Sequence, residues 1–296
     1  MISIKSKKKI RLTVMICSVL LLIGCVIFLI YYLGIQPYHS KQLNNKYKSL
    51  YYSVSDSPES DGNNEVIDDD SSENTPVDIN LDKSCEKGAK GADGILLKFS
   101  KLLEINSDIR GWLKVPGTNI DYPVMWTPED ETYYLYRAFD GSENKNGCLL
   151  LDDESCVDPL TTNLIIHGHN MKSGAMFGNL TDYENQDFYK EHKNIILYTE
   201  ECQRNYEIIA VFRSQVYRKT DQVFKFYKFF QADTQEEFDD FYNNIKQLSQ
   251  YDIGVTAEFG DHFLTLSTCV YHVEQGRFVV VAKEVEPGDH YLPIQE

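Results

Sequence analysis

The chain has little positive charge outside its first residues, and this shortage excludes one large class of functions. It contains 45 acidic against 29 basic residues and has a net charge of −16 at pH 7. Five of the basic residues lie within residues 1–11, so the remainder carries −21. Nucleic-acid binding depends on clustered Lys and Arg side chains that neutralise phosphates. We therefore expect no nucleic-acid partner.

The sequence also lacks closely spaced cysteine pairs. Its seven cysteines are scattered, whereas zinc sites and small disulfide-rich domains use short, repeated spacings. Cys148 and Cys156 could pair outside the cell, and their spacing leaves that question open. We therefore predict no disulfide framework, and we expect Cys269 to be a free reactive thiol.

No charged residue occurs in residues 12–33, which are dominated by Ile, Leu, Val and Phe. A helix of about 20 apolar residues crosses a bilayer, whereas the apolar region of a cleaved signal peptide has roughly 7–15 residues. The run therefore predicts an uncleaved transmembrane anchor. Positive residues stay inside, so residues 1–11 are predicted to be a cytoplasmic basic tail and the rest to be extracellular.

Residues 53–82 contain no Lys, Arg or aromatic residue and are rich in Ser, Asp, Glu and Asn. Such a segment cannot bury enough apolar area to offset the entropy cost of ordering it. Apolar residues at helical spacing over residues 41–52 predict a short helix before it. Residues 34–90 are thus predicted to be a juxtamembrane segment and acidic disordered linker, followed by a catalytic domain at residues 91–296.

The pattern of this last domain is mainly β. Apolar residues at helical spacing predict an opening helix over residues 95–103, and Thr234 with Glu237 forms a capping-box pattern that begins a longer helix. Many short β-rich runs with turns between them indicate a barrel or a sandwich. The predicted strands are 112–115, 119–125, 147–151, 163–167, 195–199, 206–213, 223–229, 263–268 and 278–282.

Three residue types suited to one reaction lie in short motifs of this domain. Cys269 ends one apolar run, Arg277 begins the next, and residues 163–170, Asn-Leu-Ile-Ile-His-Gly-His-Asn, supply histidine. A thiol becomes a good nucleophile when an imidazole takes its proton, and the same imidazole can later protonate a leaving amine. The oxyanion of the intermediate needs preorganised donors, and the permanently charged guanidinium of Arg277 can supply them.

Taken together, these motifs resemble those of class B sortases. The resemblance extends over roughly residues 93–283, and its segments have the order and approximate spacing of the family. It implies an eight-stranded sortase-type β-barrel with an N-terminal helix and a long helix between strands 6 and 7. The segments that carry it are Asn-Ser-Asp-Ile-Arg-Gly-Trp and its continuation at 106–124, Tyr-Tyr-Leu at 133–135, Gly-His-Asn at 168–170, Met-Phe-Gly-Asn-Leu at 176–180, Leu-Ser-Thr-Cys at 266–269 and Arg277.

Two histidines compete for the acid–base role. Residues two apart in an extended strand point the same way, so strand alternation does not separate His167 from His169. The histidine of the family directly follows Gly and precedes Asn, and the resemblance therefore implies His169 as the catalytic residue, with Cys269 and Arg277. His167 is then expected to pack beside the site or to support it.

Ser267 lies two residues before Cys269 and is predicted to face the same side of its strand, where it could contact substrate. A metal site is the alternative for this region, because Cys269 and His272 have a Cys-x-x-His spacing near the two upstream histidines. No cysteine pair and no carboxylate lie within the motif. We therefore predict neither a metal ion nor a cofactor.

The resemblance implies a membrane-anchored cysteine transpeptidase of the thiol protease class in a Gram-positive envelope. Such an enzyme cleaves the C-terminal sorting signal of a surface protein after Thr and holds the acyl group as a thioester, here on Cys269. It then transfers that group to a peptidoglycan amine. Two alternatives remain: a secreted cysteine peptidase that releases its product to water, and a non-catalytic wall-binding module.

Overall fold

The computed structural model describes residues 4–53, 85–86, 96–271 and 273–286. The predicted acidic linker lies outside the described residues apart from Ser53 and the pair 85–86, and His272 lies outside them as well. The chain divides into two compact units, residues 1–47 and 48–296.

The first unit is helical. Helix α1, Ile4–Ile30, continues through a short π-helical turn, Tyr31–Ile35, into α2, Gln36–Tyr52. Within the described part of the chain, this is the one helix that is long and apolar enough to cross a membrane, and an 18-residue stretch of it has a mean hydropathy of 3.0. A signal sequence can satisfy the same criterion. The predicted helix at residues 41–52 lies within α2.

Among the described residues, the second unit contains an eight-stranded closed β-barrel, as predicted. Its strands are β1 (Ile109–Lys114), β2 (Asp121–Met125), β3 (Leu149–Leu151), β4 (Asn163–Gly168), β5 (Asn194–Tyr198), β6 (Gln203–Gln215), β7 (Phe263–Cys269) and β8 (Gly276–Val285). The order around the barrel is β6-β5-β1-β2-β3-β4-β7-β8, and pairing of β6 with β8 closes it. A further two-residue strand, Cys85–Glu86, pairs with β6.

The barrel is filled by alternate residues of its strands. On β7, Leu264 and Leu266 belong to the interior core, as do Leu164 and Ile166 on β4. Successive side chains of a strand point to opposite faces, so the residues between them face outward. The outer face of β4 and β7 is therefore where His167, Ser267 and Cys269 must lie.

A second core covers part of this outer face. Helix α5, Gln235–Leu248, lies between β6 and β7, and the predicted capping box of Thr234 and Glu237 is present. Its Phe238 and Phe241 pack with Phe263 at the start of β7 and with Val279 and Val281 of β8. The two last strands are thus buried on both faces along most of their length.

The predicted strand at residues 223–229 is wrong. The segment forms a loop with one 3-10 turn, Phe226–Lys228. Its aromatic residues look strand-like in sequence, but they pack as single side chains onto α5: the ring of Phe229 stacks on Phe241 at 4.0 Å. The Tyr227 hydroxyl accepts a hydrogen bond from the backbone N–H of Tyr217, which fixes the loop.

The predicted opening helix is present as α3, Leu97–Ile105, which ends at Asn106. The short helix α4 spans Gln186–Glu191. Within the second unit, the last turn of α2 packs against β1, because Tyr51 stacks on Trp112 at 4.7 Å. Asp121 accepts a hydrogen bond from the Trp112 indole and forms an ion pair with Lys48.

The cysteines differ in part from expectation. Cys202 is disulfide-bonded, which the sequence reasoning did not foresee. Cys148 and Cys156 are free thiols, so the bridge left open between them is not formed. Cys148 is buried, and this burial raises the pKa of its thiol. Cys269 is also free, and in contrast it is exposed.

Candidate active site

The candidate site forms where two parallel strands end side by side. Strands β4 and β7 pair in parallel, with His167 opposite Ser267 and Gly168 opposite Thr268. His169 directly follows Gly168, and Cys269 directly follows Thr268. Two residues that are 100 positions apart in sequence are thus brought to neighbouring strand ends.

Cys269 is the exposed terminus of a buried strand. The other six residues of β7 are buried, and only this last residue is exposed to solvent. The barrel core packs against the inner face of β7, and α5 packs against its first residue, Phe263. The strand that carries the thiol is therefore held in place. An accessible sulfur on a fixed backbone is the arrangement that a nucleophile requires.

Arg277 faces Cys269 across the β7–β8 hairpin. The two residues are directly opposite in the antiparallel register. The guanidinium donates from Nη1 to the backbone carbonyl oxygens of Gln275 at 3.3 Å and Gly276 at 3.1 Å. Within the described part of the chain no carboxylate forms an ion pair with it, so its charge remains available to an anionic group next to the thiol.

The ring of His169 is held by two residues of the 3-10 helix Tyr133–Tyr136, which precedes β3. Its Nε2 lies 2.8 Å from the carbonyl oxygen of Leu135, and its ring is 5.4 Å from that of Tyr136. A carbonyl oxygen only accepts hydrogen bonds, so Nε2 must carry the proton. The neutral imidazole then has its lone pair on Nδ1, which is the nitrogen able to take a proton from a thiol.

Gly168 is required by the packing just before His169. A Cβ atom at this position would lie 2.6 Å from side-chain carbons of both Leu149 and Phe177, closer than real contacts allow. The absence of a side chain lets the barrel interior close beneath the histidine. This explains physically why glycine precedes the histidine here.

Two polar contacts fasten the strand ends to each other. The hydroxyl of Thr268 donates to the carbonyl oxygen of Gly168 at 2.7 Å, and the amide of Asn170 donates to the carbonyl oxygen of Cys269 at 3.0 Å. Asn170 thus connects the histidine loop to the backbone of the cysteine.

His167 occupies a different environment, although it lies only two residues from His169. Its Nε2 is 3.0 Å from a carboxylate oxygen of Asp152. Burial alone would raise the pKa of Asp152, but the hydrogen bond and the charge of His167 lower it below its ordinary value. His167 also lies opposite Ser267 rather than at the strand end, so it is farther than His169 from Cys269 along the paired strands.

A pocket of about 250 Å³ opens beside the strand ends. Ser267 and Arg277 line it together with His167 and the acidic residues near Asp152. The structure thus brings the predicted Ser267 and Arg277 to one cavity. The predicted His169 and Cys269 lie at its strand-end side and do not line it.

Sequence reasoning missed Asp152 and the pair Leu135–Tyr136. Asp152 follows the apolar strand β3, and an acidic residue at a strand end was the only sign of its role. The Tyr-Tyr-Leu segment at 133–135 was noted, but no pattern in sequence joins a backbone carbonyl to a histidine ring 34 positions away.

No group of three or more His, Cys, Asp or Glu among the described residues could hold a metal ion. The candidate ligand His272 lies outside that part of the chain, so the predicted absence of metal stays a prediction. What the described residues supply is a thiol, an imidazole with a defined tautomer and a guanidinium, which suit acyl transfer through sulfur.

Comparison with known proteins agrees with this chemistry. The Sortase domain family model matches residues 113–285. Sortase B of Listeria monocytogenes is 34% identical over 186 residues, which cover 62% of this chain and 72% of that protein. A crystal structure of a Bacillus anthracis protein similar to sortase B superposes with a TM-score of 0.64 at 26% identity, covering 85% of this chain and 98% of that one.

The Staphylococcus aureus sortase B–substrate complex superposes with a TM-score of 0.59 at 28% identity, over 66% of this chain and 87% of the other. The matched residues include β4, β7 and β8. Ser267 and Cys269 lie on β7, Arg277 lies on β8, and His169 directly follows β4. The chain therefore belongs to the sortase family, among the class B cysteine transpeptidases.

Proposed function

We propose that this sortase cleaves a C-terminal sorting signal after Thr and attaches the released surface protein to a peptidoglycan amine. The observation that carries the proposal is the register of three strands, which supports a shared site for Cys269, His169 and Arg277. The family relationship supports cell-wall anchoring as the general role.

In the first step, His169 takes the proton of Cys269 on Nδ1, and the thiolate attacks the carbonyl carbon of Thr. Arg277 stabilises the oxyanion that forms, because no carboxylate among the described residues neutralises its charge. The bond from Thr to the next residue then breaks, and His169 returns its proton to the leaving amine. The acyl group remains as a thioester on Cys269.

In the second step, the acceptor amine attacks the thioester carbonyl. His169 takes a proton from that amine, and Arg277 again holds the oxyanion. The C–S bond breaks, the new amide leaves, and the proton goes back to the sulfur. Ser267, which lies on the outer face two residues from Cys269, is proposed to contact the bound peptide.

The N-terminal helix is proposed to be an uncleaved anchor at residues 12–33. Its length and hydropathy support a membrane span, and the basic residues 1–11 favour a cytoplasmic N-terminus. Residues 34–90 would then connect the anchor to an extracellular catalytic domain. Protease added to intact cells should degrade the domain and leave the first eleven residues protected; the reverse pattern would contradict this orientation.

The decisive experiment offers the full chain in detergent a library of sorting-like peptides with and without an amine. Mass spectrometry should detect an acyl adduct on Cys269 and, with amine, a shift from hydrolysed to aminated product. Hydrolysis that amine does not divert would favour a peptidase. Peptide binding without any adduct would favour a non-catalytic module.

A further inference from the structure

Cys202 is disulfide-bonded, and the cysteine content of the chain indicates which residue is its partner. The chain contains seven cysteines. Five of them are free thiols: Cys17, Cys25, Cys148, Cys156 and Cys269. The one cysteine that then remains as a partner for Cys202 within the chain is Cys85.

The backbone pairing brings the position of Cys85 next to that of Cys202. The two-residue strand Cys85–Glu86 runs antiparallel to β6, with Cys85 opposite Arg204 and Glu86 opposite Gln203. Cys202 lies two residues before Arg204, so it belongs to the same face of this strand pair as the position of Cys85. Residues at such diagonal positions are neighbours across a strand pair.

The short strand covers an edge of β6 that the barrel leaves open. Asn205 of β6 lies opposite Val285, which is the last residue of β8. Gln203 and Arg204 continue past this pairing, and on that side they pair with the strand Cys85–Glu86 instead. Two residue pairs give few interactions to offset the entropy cost of holding a chain segment in place. A covalent bond at the same point would remove most of that cost.

Cys202 lies fully buried in the turn between β5 and β6. The backbone N–H of Thr199 donates to the carbonyl oxygen of Cys202 at 2.8 Å and closes this turn. The backbone N–H of Leu96, at the start of α3, donates to the carbonyl oxygen of Glu200 in the same turn at 2.7 Å. The chain before α3 is thus attached to the turn at Leu96, and a disulfide from Cys85 would attach it at a second point.

We propose that Cys85 and Cys202 form a disulfide that fastens the segment before α3 to the turn between β5 and β6. Disulfides form and persist in oxidising compartments outside the cytoplasm. The inference therefore rests on the proposed extracellular position of the catalytic domain. It does not depend on the reaction proposed at Cys269.

Formation of the bond needs an oxidant, which is a disulfide of an extracellular oxidoreductase or of a small molecule. The thiolate of one cysteine attacks that disulfide, which gives a mixed disulfide and releases one thiolate of the oxidant. The thiolate of the other cysteine then attacks the protein sulfur of the mixed disulfide and displaces the second thiolate. Two protons leave the cysteines, and two electrons pass to the oxidant.

The first test maps the bond in the full chain. Cells that make the protein are treated with a thiol-alkylating reagent before lysis, and the chain is isolated in detergent and digested with trypsin without reduction. Cleavage after Lys and Arg places Cys85 in peptide 84–87 and Cys202 in peptide 194–204. Mass spectrometry should detect these two peptides joined, with two hydrogens fewer than their sum, and a reductant should separate them.

The second test measures what the bond contributes to stability. It would close a loop of more than a hundred residues. We therefore expect a reductant to lower the melting temperature of the wild-type domain by roughly 5–15 °C. Cys85→Ser should melt at this lower temperature both with and without reductant. Cys156→Ser, which replaces a free thiol, is the matched control and should respond to reductant as the wild type does.

Recovery of Cys85 and Cys202 in separate alkylated peptides would overturn the proposal, as would a bond from Cys202 to any other peptide or to a second copy of the chain. A melting temperature of Cys85→Ser that reductant lowers as much as that of the wild type would do the same. Failure of the proposed function has a different result, namely no acyl adduct on Cys269 in a chain whose two peptides are joined. A reversed orientation in the membrane would be seen separately, in the protease experiment on intact cells.

Discussion

The two candidate histidines, His167 and His169, lie two residues apart at the end of β4 and differ in what surrounds them. His169 contacts a backbone carbonyl and an aromatic ring, next to a thiol and a guanidinium that no described carboxylate neutralises. His167 is paired with Asp152 in an acidic pocket. Cys269 at the strand end is a free thiol, whereas His167, two residues before His169, is held by its ion pair with Asp152.

The difference shows how a repeating backbone geometry can give unlike roles to neighbouring residues. Strand alternation does not distinguish the two histidines, and the parallel register with β7 sets which one adjoins Cys269. The surrounding loops then set the electrostatics. Experiments that alter one region at a time can separate the two roles.

The largest effect is expected at the sulfur. Cys269→Ala should remove acyl-adduct formation and lower transpeptidation by at least about a thousand-fold, because it removes the thiol proposed to form the thioester. The melting temperature should stay within a few degrees, since the side chain is exposed. Cys156→Ala, at another free thiol, should retain activity. Normal turnover by Cys269→Ala would refute the role of the strand-end region.

The histidine pair gives the most direct test of the comparison. His169→Ala should lower kcat by roughly 10²–10⁴-fold through loss of the acid–base group. His167→Ala should lower it by less than about ten-fold, because it removes a group that is already bound to Asp152. Single-turnover rates for both variants decide the order, and a larger loss in His167→Ala would reverse the assignment.

Arg277 is predicted to act through its planar fork as well as its charge. Arg277→Lys should lower kcat by about 10²-fold, because an ammonium cannot reproduce the two parallel donors aimed at an oxyanion. Arg218→Lys, at an exposed position that does not line the pocket, is the control. Steady-state kinetics with one peptide suffice, and full activity of Arg277→Lys would exclude the oxyanion role.

The smallest expected effect concerns stability in the pocket region. The pKa of Asp152 is lowered in the folded state, so its pairing with His167 stabilises the fold above the unfolded value of about 3.9 and is lost as pH falls through the lowered value. At pH 5.5, Asp152→Asn should lower the free energy of unfolding by about 1–2 kcal/mol. The difference should shrink at pH 3.

Asp153→Asn is the matched control for this stability measurement. The pKa of Asp153 is raised in the folded state, so its charge opposes folding above its ordinary pKa. Removing that charge should therefore leave stability unchanged or increase it at pH 5.5. Equal losses in the two variants would show that the pairing with His167 is not what matters.

Much of the barrel could be predicted, because most of its strands carry a clear turn-bounded apolar pattern. The strand predicted at 223–229 was wrong because the segment has a similar apolar pattern. Its aromatic rings pack in the second core beside α5 and do not belong to a sheet. Local pattern reports that side chains are buried. It does not report which element buries them.

The sequence predicted the candidate residues of the site, but it did not predict most of their contacts. The motifs named Cys269, Arg277 and a choice of histidines, and the register of β4 and β7 now favours His169. The pairing of Asp152 with His167 depends on contacts between distant segments. A single sequence contains no pattern for such contacts, and the catalytic roles stay predictions.

The parallel pairing of β4 with β7 also fixes when the enzyme can become active during its synthesis. The histidine strand emerges from the ribosome about a hundred residues before its partner, and Arg277 follows later still. Pairings over such separations form slowly and only once the late segment exists. On the proposed roles of Cys269 and Arg277, a nascent chain therefore has no complete site before this final hairpin is made.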